Sequence, residues 1–345
     1  MKLRNRLTAT SSILFAALLA APIAPAGTLV VANKAEATVS LIDQASGEVV
    51  ATLATGVGPH EVGISPDGQF ALVTNYGNRE HPGNSLTLID IPAAEVVKTF
   101  DIGNQSKPHG VEWIDKMRAA VTVEANQALV VVDVDSGEIL QAIPTDQDVS
   151  HMVALDSDGR RAYTANIGSG SISVLDLETG ERERNIATGE GAEGIAVSGQ
   201  HIWVTNRAAD TITVLDAKTY ATVKEISSEG FPIRATATSQ GQVLVTRARA
   251  GDLVIYDAET MEAVRTVAFD LKSMDVEERL FGDRFGDSSV PIGVIVDDSG
   301  TRAFVAHANA DVITEVDLTT GDIVRSLHAG KEPDGMGFSS RVVQP

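Results

Sequence analysis

Hydrophobic and polar residues follow one another along this chain in short runs, too brief for helices and punctuated by Gly, Pro, Asp and Asn. The stretch Gly58 to Asp90 shows the unit. An apolar run from Val62 stops at Ser65-Pro66-Asp67-Gly68, where Pro presets φ and Gly accepts φ > 0, so a hairpin turn is predicted. A second run, Phe70 to Thr74, ends at Asn75, and after a polar loop a third, Ser85 to Asp90, alternates at strand period.

The unit recurs. An aspartate closes the third strand at Asp43, Asp90, Asp133, Asp176, Asp216, Asp257 and Asp317, most of them about 40 residues apart. An apolar pair or near match precedes each, from Leu41-Ile42 to Glu315-Val316, and a fourth strand such as Glu48 to Leu53 or Thr222 to Ile226 follows. Seven four-stranded antiparallel units predict an all-β propeller with one closed domain over residues 27–345. Val73-Thr74-Asn75, Val204-Thr205-Asn206, the Ser-Pro-Asp-Gly turn and the Gly-x-x-Pro-His lead-in resemble the YVTN-type seven-bladed β-propeller repeat family. Departures from the repeat include Val123-Glu124, the turn remnant Gln240-Gly241, and His307 where Asn is expected. The resemblance implies architecture; families of this kind include binding proteins, surface proteins and lactonase-like enzymes, so chemistry must come from the site.

Composition narrows the picture. The chain is 43% hydrophobic but only 4% aromatic, so the space between blades is expected to hold Val, Ile, Leu and Ala. A formal charge of −20 argues against nucleic acid as a partner and suits solubility, a cation or a basic partner. Residues 1–26, with Lys2, Arg4 and Arg6 before an apolar middle and Ala24-Pro25-Ala26, read as a signal peptide cleaved near Ala26 rather than a retained membrane anchor. Cysteine is absent, which excludes disulfides, thiolate ligands and covalently attached c-type haem. A periplasmic or secreted monomer is expected.

Thr28 to Asn33 matches a second strand and Asp334 to Ser339 a first strand, so the two are expected to complete one blade and close the ring. The start of each first strand then shares an upper face with the end of each second strand. The first set is Asp334, His60, His109, His151, Glu193, Ile233 and Ile292. Its five polar members suit a divalent transition metal at the channel mouth; alternatively these side chains only bond the neighbouring blade. The second set is Asn33, Asn75, Glu124, Asn166, Asn206, Arg247 and His307. Asn is expected to stabilise turns, while Glu124, Arg247 and His307 would place charge where a ligand enters. Arg234, Arg247 and Arg249 form a candidate basic patch for a carboxylate or phosphate, or else pair with acids such as Glu229 and Asp252.

About 20 extra residues, Asp270 to Ser289, interrupt the repeat on the upper face. A short helix over Met274 to Leu280 and a Gly-hinged loop are predicted there, as a lid, a partner-docking arm or a tolerated insertion. There is no phosphate loop, nucleophile elbow, His-Glu-x-x-His or EF-hand loop. The favoured expectation is therefore an exported binding protein that holds a metal ion, small ligand or periplasmic partner protein at the channel mouth. A lactonase-like hydrolase using the same face and an accessory protein of a periplasmic quinoprotein or redox system are the alternatives.

Overall fold

In a computed structural model the chain is described over residues 27–274, 279 and 281–344. These residues form seven four-stranded antiparallel sheets, each ordered from the inside out. Blade 1 joins the chain ends: Pro333–Ser339 is its inner strand, followed outward by Thr28–Asn33, Thr38–Asp43 and Val49–Ala54. Val30 lies opposite Gly337 and Thr28 opposite Ser339, so the C-terminal strand closes the ring in the register the sequence implies. The inner strands of blades 2 to 7 are Pro59–Ile64, Pro108–Trp113, Ser150–Leu155, Ala192–Ser198, Pro232–Ala237 and Pro291–Val296.

Burial explains the strand sequences. Second and third strands are covered on both faces by neighbouring blades, so Thr28–Asn33 is buried throughout and Ala128–Asp133 reads as a nearly continuous apolar run. Outer strands such as Val49–Ala54 keep one face in solvent and alternate. The marker aspartates cap the turn that follows the third strand: Asp43 accepts the Ser46 amide at 2.8 Å and Asp257 that of Thr260 at 2.7 Å. At Ser65-Pro66-Asp67-Gly68 the Gly68 amide donates to the Ser65 carbonyl at 2.8 Å with Gly68 at φ +72°.

Two repeated bonds set the upper face. Asn33, Asn75, Asn166 and Asn206 each donate to two hydroxyls of the adjacent third strand, for example Asn75 to Ser85 and Thr87 at 3.0 Å. The preceding threonine reaches the next blade: Thr74 donates to the His109 carbonyl at 2.8 Å and Thr122 to that of His151 at 2.5 Å. One residue beyond the lead-in, Gly335, Gly110, Gly194 and Gly293 let inner strands pack closely. A Cβ on Gly293 would stand 2.0 Å from the Asp334 carbonyl oxygen.

The described residues of the Asp270 to Ser289 insertion lie over blades 6 and 7. Met274 donates its amide to Asn309 at 2.7 Å, Arg279 pairs with Asp311 at 2.6 Å, and Phe285 packs on Phe231 at 4.9 Å between centroids. These rings join Ile233 and Ile292 in one apolar cluster, so the insertion covers the apolar arc of the lead-in ring. The helix expected over Met274 to Leu280 falls mostly outside the described residues, as does the expected signal peptide.

Candidate functional site at the upper channel mouth

The polar arc of the lead-in ring comes together at the channel axis. The His60 and His109 rings lie 4.1 Å apart edge to face, and His109 and His151 lie 3.5 Å apart. All three are buried, as are Glu193 and Asp334. Side chains so far apart in sequence meet because each begins an inner strand, and the threonine ties hold successive lead-ins at one level.

The five residues anticipated as one ligand set divide into separate groups. His60 Nδ1 lies 3.0 Å from Asp334 and its Nε2 lies 3.2 Å from Lys34 Nζ. Burial, then the Lys34 charge, pushes the His60 pKa down to about 4, with Asp334 opposing. Asp334 stays ionised: burial works against its charge, but His60 and Lys34 outweigh it and lower its pKa. Glu193 is held by Arg234 at 2.8 Å and by Arg207. Burial opposes that carboxylate too, yet Arg207, His151 and Arg234 bring its pKa down to about 2.

His151 bridges two carboxylates, with Nδ1 2.5 Å from Glu124 and Nε2 3.3 Å from Glu193. Burial disfavours its cation, but these two acids prevail and raise its pKa. Glu124 also accepts the Tyr76 hydroxyl at 2.6 Å. His109 differs from both neighbours: neither ring nitrogen has a hydrogen-bond partner among the described residues, although the side chain is completely buried. Burial, followed by the charges of His151 and His60, holds it neutral. Donor atoms of His109, Glu124 and His151 lie within 4.8 Å of one another, the one such group of metal-capable side chains among the described residues.

The candidate ligand-binding residues separate as well. Glu124 does not occupy the asparagine position expected of it: Val123 does, opposite Ala128 as Asn75 is opposite Ser85, and Glu124 follows it at the position that holds Tyr76 in blade 2. Arg234 lies beneath the lead-in ring, bound to Glu61 and Glu193 at 2.8 Å each. Arg247 does not join it. Its guanidinium forms a fork with Asp252 at 2.6 and 2.7 Å and donates to the Glu229 carbonyl, while Arg249 pairs with Asp210, so the three arginines form no shared patch. His307 is no entrance charge either. It is fully buried, and its nitrogens lie 2.8 Å from Ser289 Oγ and 2.9 Å from Thr314 Oγ1, where it takes over the asparagine tie.

Sequence reading missed Lys34, Glu61, Tyr76 and Arg207. A signal existed for three of them: Lys34, Tyr76 and Arg207 each directly follow a second-strand asparagine, forming another ring of equivalent positions. Tyr76 is carried there by Phe70–Gly77, which runs beyond the asparagine and pairs at Gly77 with Pro82 of a longer third strand than expected.

Comparison with known proteins agrees with the fold. Residues 114–246 match the family described as the cytochrome D1 heme domain. Uncharacterized proteins YncE from Salmonella typhi and Salmonella typhimurium (strain LT2) are each 24% identical to this chain over 232 residues. The aligned region is 63% of this chain and 64% of each relative, so the match spans less than two thirds of the relatives' length. The crystal structure of a functionally unknown protein from Desulfotomaculum acetoxidans DSM 771 superposes with a TM-score of 0.74 at 13% identity, covering 90% of this chain and 98% of that one. Fold and comparisons define a seven-bladed β-propeller protein.

Proposed function

We propose that this chain is an exported YVTN-type propeller that binds a divalent first-row transition ion on His109, His151 and Glu124, and through it a small ligand or partner protein. His109 carries the reading. A fully buried imidazole whose two nitrogens have no partner among the described residues gives up its hydration without compensation, a cost of about 1–3 kcal/mol, and a bound ion would relieve it at the nitrogen that ligates. Two imidazoles and a carboxylate suit zinc, copper, nickel or iron, with bonds of about 2.0–2.2 Å for zinc. Glu193 and Tyr76 would act from behind, orienting His151 and Glu124.

The matched family's description names a haem, which brings in the redox-accessory reading. The donor set favours an ion over a macrocycle, because the histidine rings pack against one another with centroids 3.5 and 4.1 Å apart and are buried. Chelator-treated protein titrated with Zn²⁺ or Cu²⁺ against a coloured competitor should take up one equivalent, and metal analysis of the reloaded protein should match. Absence of saturable uptake, or equal uptake by His109→Ala, would overturn the assignment. Lactone hydrolysis measured on the loaded protein separates the hydrolase alternative.

A further inference from the structure

Beneath the Glu61–Arg234 pair the channel opens toward the lower face as a cavity of about 550 Å³. Small-molecule sites commonly span roughly 300–1,000 Å³. Its walls include Val62, Trp113, Met152 and Ile195, and its rim carries Asp156 and Asp158. Glu112, the fifth residue of its inner strand, stands in this wall with its side chain exposed to the lumen. The corresponding positions of the other inner strands hold Gly63, Ala154, Ala196, Thr236, Ile295 and Gly337, so one carboxyl interrupts a ring of small and apolar residues.

Glu112 has no cationic partner among the described residues. Arg234 in the roof is already engaged by Glu61 and Glu193, with Asp334 at 3.9 Å. Enclosure by protein, with Glu61 near, pushes the Glu112 carboxyl up to about 7, the direction expected without a counter-ion. The surroundings select by charge. An anion would meet Glu61, Glu112 and an acidic rim, while a hard metal ion needs more oxygen donors than one carboxylate supplies. A neutral guest would leave Glu112 desolvated and unpaired.

We propose that this cavity is a second ligand site, separate from the imidazole cluster, for a small organic ammonium. Its apolar body would lie against Val62, Trp113 and Met152, and its charged nitrogen on Glu112. Benzylammonium is the probe, benzyl alcohol its neutral counterpart, and the measurement is calorimetric titration of the full chain. Benzylammonium should bind one-to-one and at least about tenfold tighter than the alcohol, the scale of one charged hydrogen bond. Glu112→Gln should lose that advantage, whereas His109→Ala should keep it. Ala196→Met narrows the lumen from blade 5 without altering charge and should weaken binding by about tenfold or more. No benzylammonium binding at millimolar concentration overturns the assignment. Equal affinity for the alcohol, or unchanged affinity in Glu112→Gln or Ala196→Met, does so as well.

Discussion

The imidazoles of His109 and His151 lie 3.5 Å apart at 35°, yet one is held by two carboxylates and the other by nothing among the described residues. The pair therefore combines an anchored donor with a free one. Replacing His109 with Leu should abolish metal uptake, by about 100-fold or more, and should leave the metal-free protein as stable as the parent or more so. Leucine has no polar atoms to desolvate, whereas the orphaned nitrogens cost about 1–3 kcal/mol. Urea unfolding of chelator-treated protein, beside a metal titration, reads both. His60→Asn should keep metal binding within a few fold, since His60 is committed to Asp334 and Lys34.

Arg234 joins blade 6 to Glu61 of blade 2 and Glu193 of blade 5 across the ring. Arg234→Met should lower the unfolding free energy by about 3–5 kcal/mol, because it leaves buried Glu61 without its cation and takes one of two arginines from Glu193. Arg234→Lys should recover less than half, since an ammonium cannot reproduce the fork that reaches two acids. The denaturation midpoint of each variant decides it.

His307 gives the stability a pH signature. Burial pushes its pKa down to about 3 from 6.5, so below pH 6.5 the unfolded chain binds a proton that the folded chain refuses. Its contribution to stability is complete above that value and is lost as the pH falls toward 3, amounting to about 2–3 kcal/mol by pH 4.5. His307→Asn can make one of the two bonds of the tie found in four other blades, to Thr314, because Val312 stands where those blades carry the other hydroxyl, and it removes this titration. Its stability should fall less steeply than the parent's between pH 6.5 and 4.5; parallel curves would refute the argument.

Closure depends on the last strand. Deleting residues 334–345 removes most of blade 1's inner strand and Asp334, exposing the edge of Thr28–Asn33. The truncated chain should melt well below the parent and associate in light scattering. A parental melting temperature would show that the ring does not need its clasp.

Gly293→Ala tests how tightly the inner strands pack. The new Cβ would fall 2.0 Å from the Asp334 carbonyl oxygen, so blades 7 and 1 must part. A loss of about 1–3 kcal/mol or more is expected, together with weakened metal binding as the ring at the mouth shifts.

The blade count, the antiparallel hairpins and the clasp were legible along the chain, because each is a local pattern repeated. Asp43 and its counterparts cap their own turns, Ser65 to Gly68 forms its own hairpin, and a strand buried on both faces must read as apolar throughout. Equivalence within the repeat also places His60, His109 and His151 on one ring from the chain alone. What each does there depended on neighbours from other blades. Only the folded ring sets Glu124 and Glu193 against His151, commits Asp334 to His60 and Lys34, leaves His109 without a partner, and withdraws Arg247 and His307 into their own blades. Secondary structure follows from contacts a few residues apart, whereas the charge state and bonding of a buried group follow from everything packed around it. In a closed ring those neighbours come from anywhere in the chain.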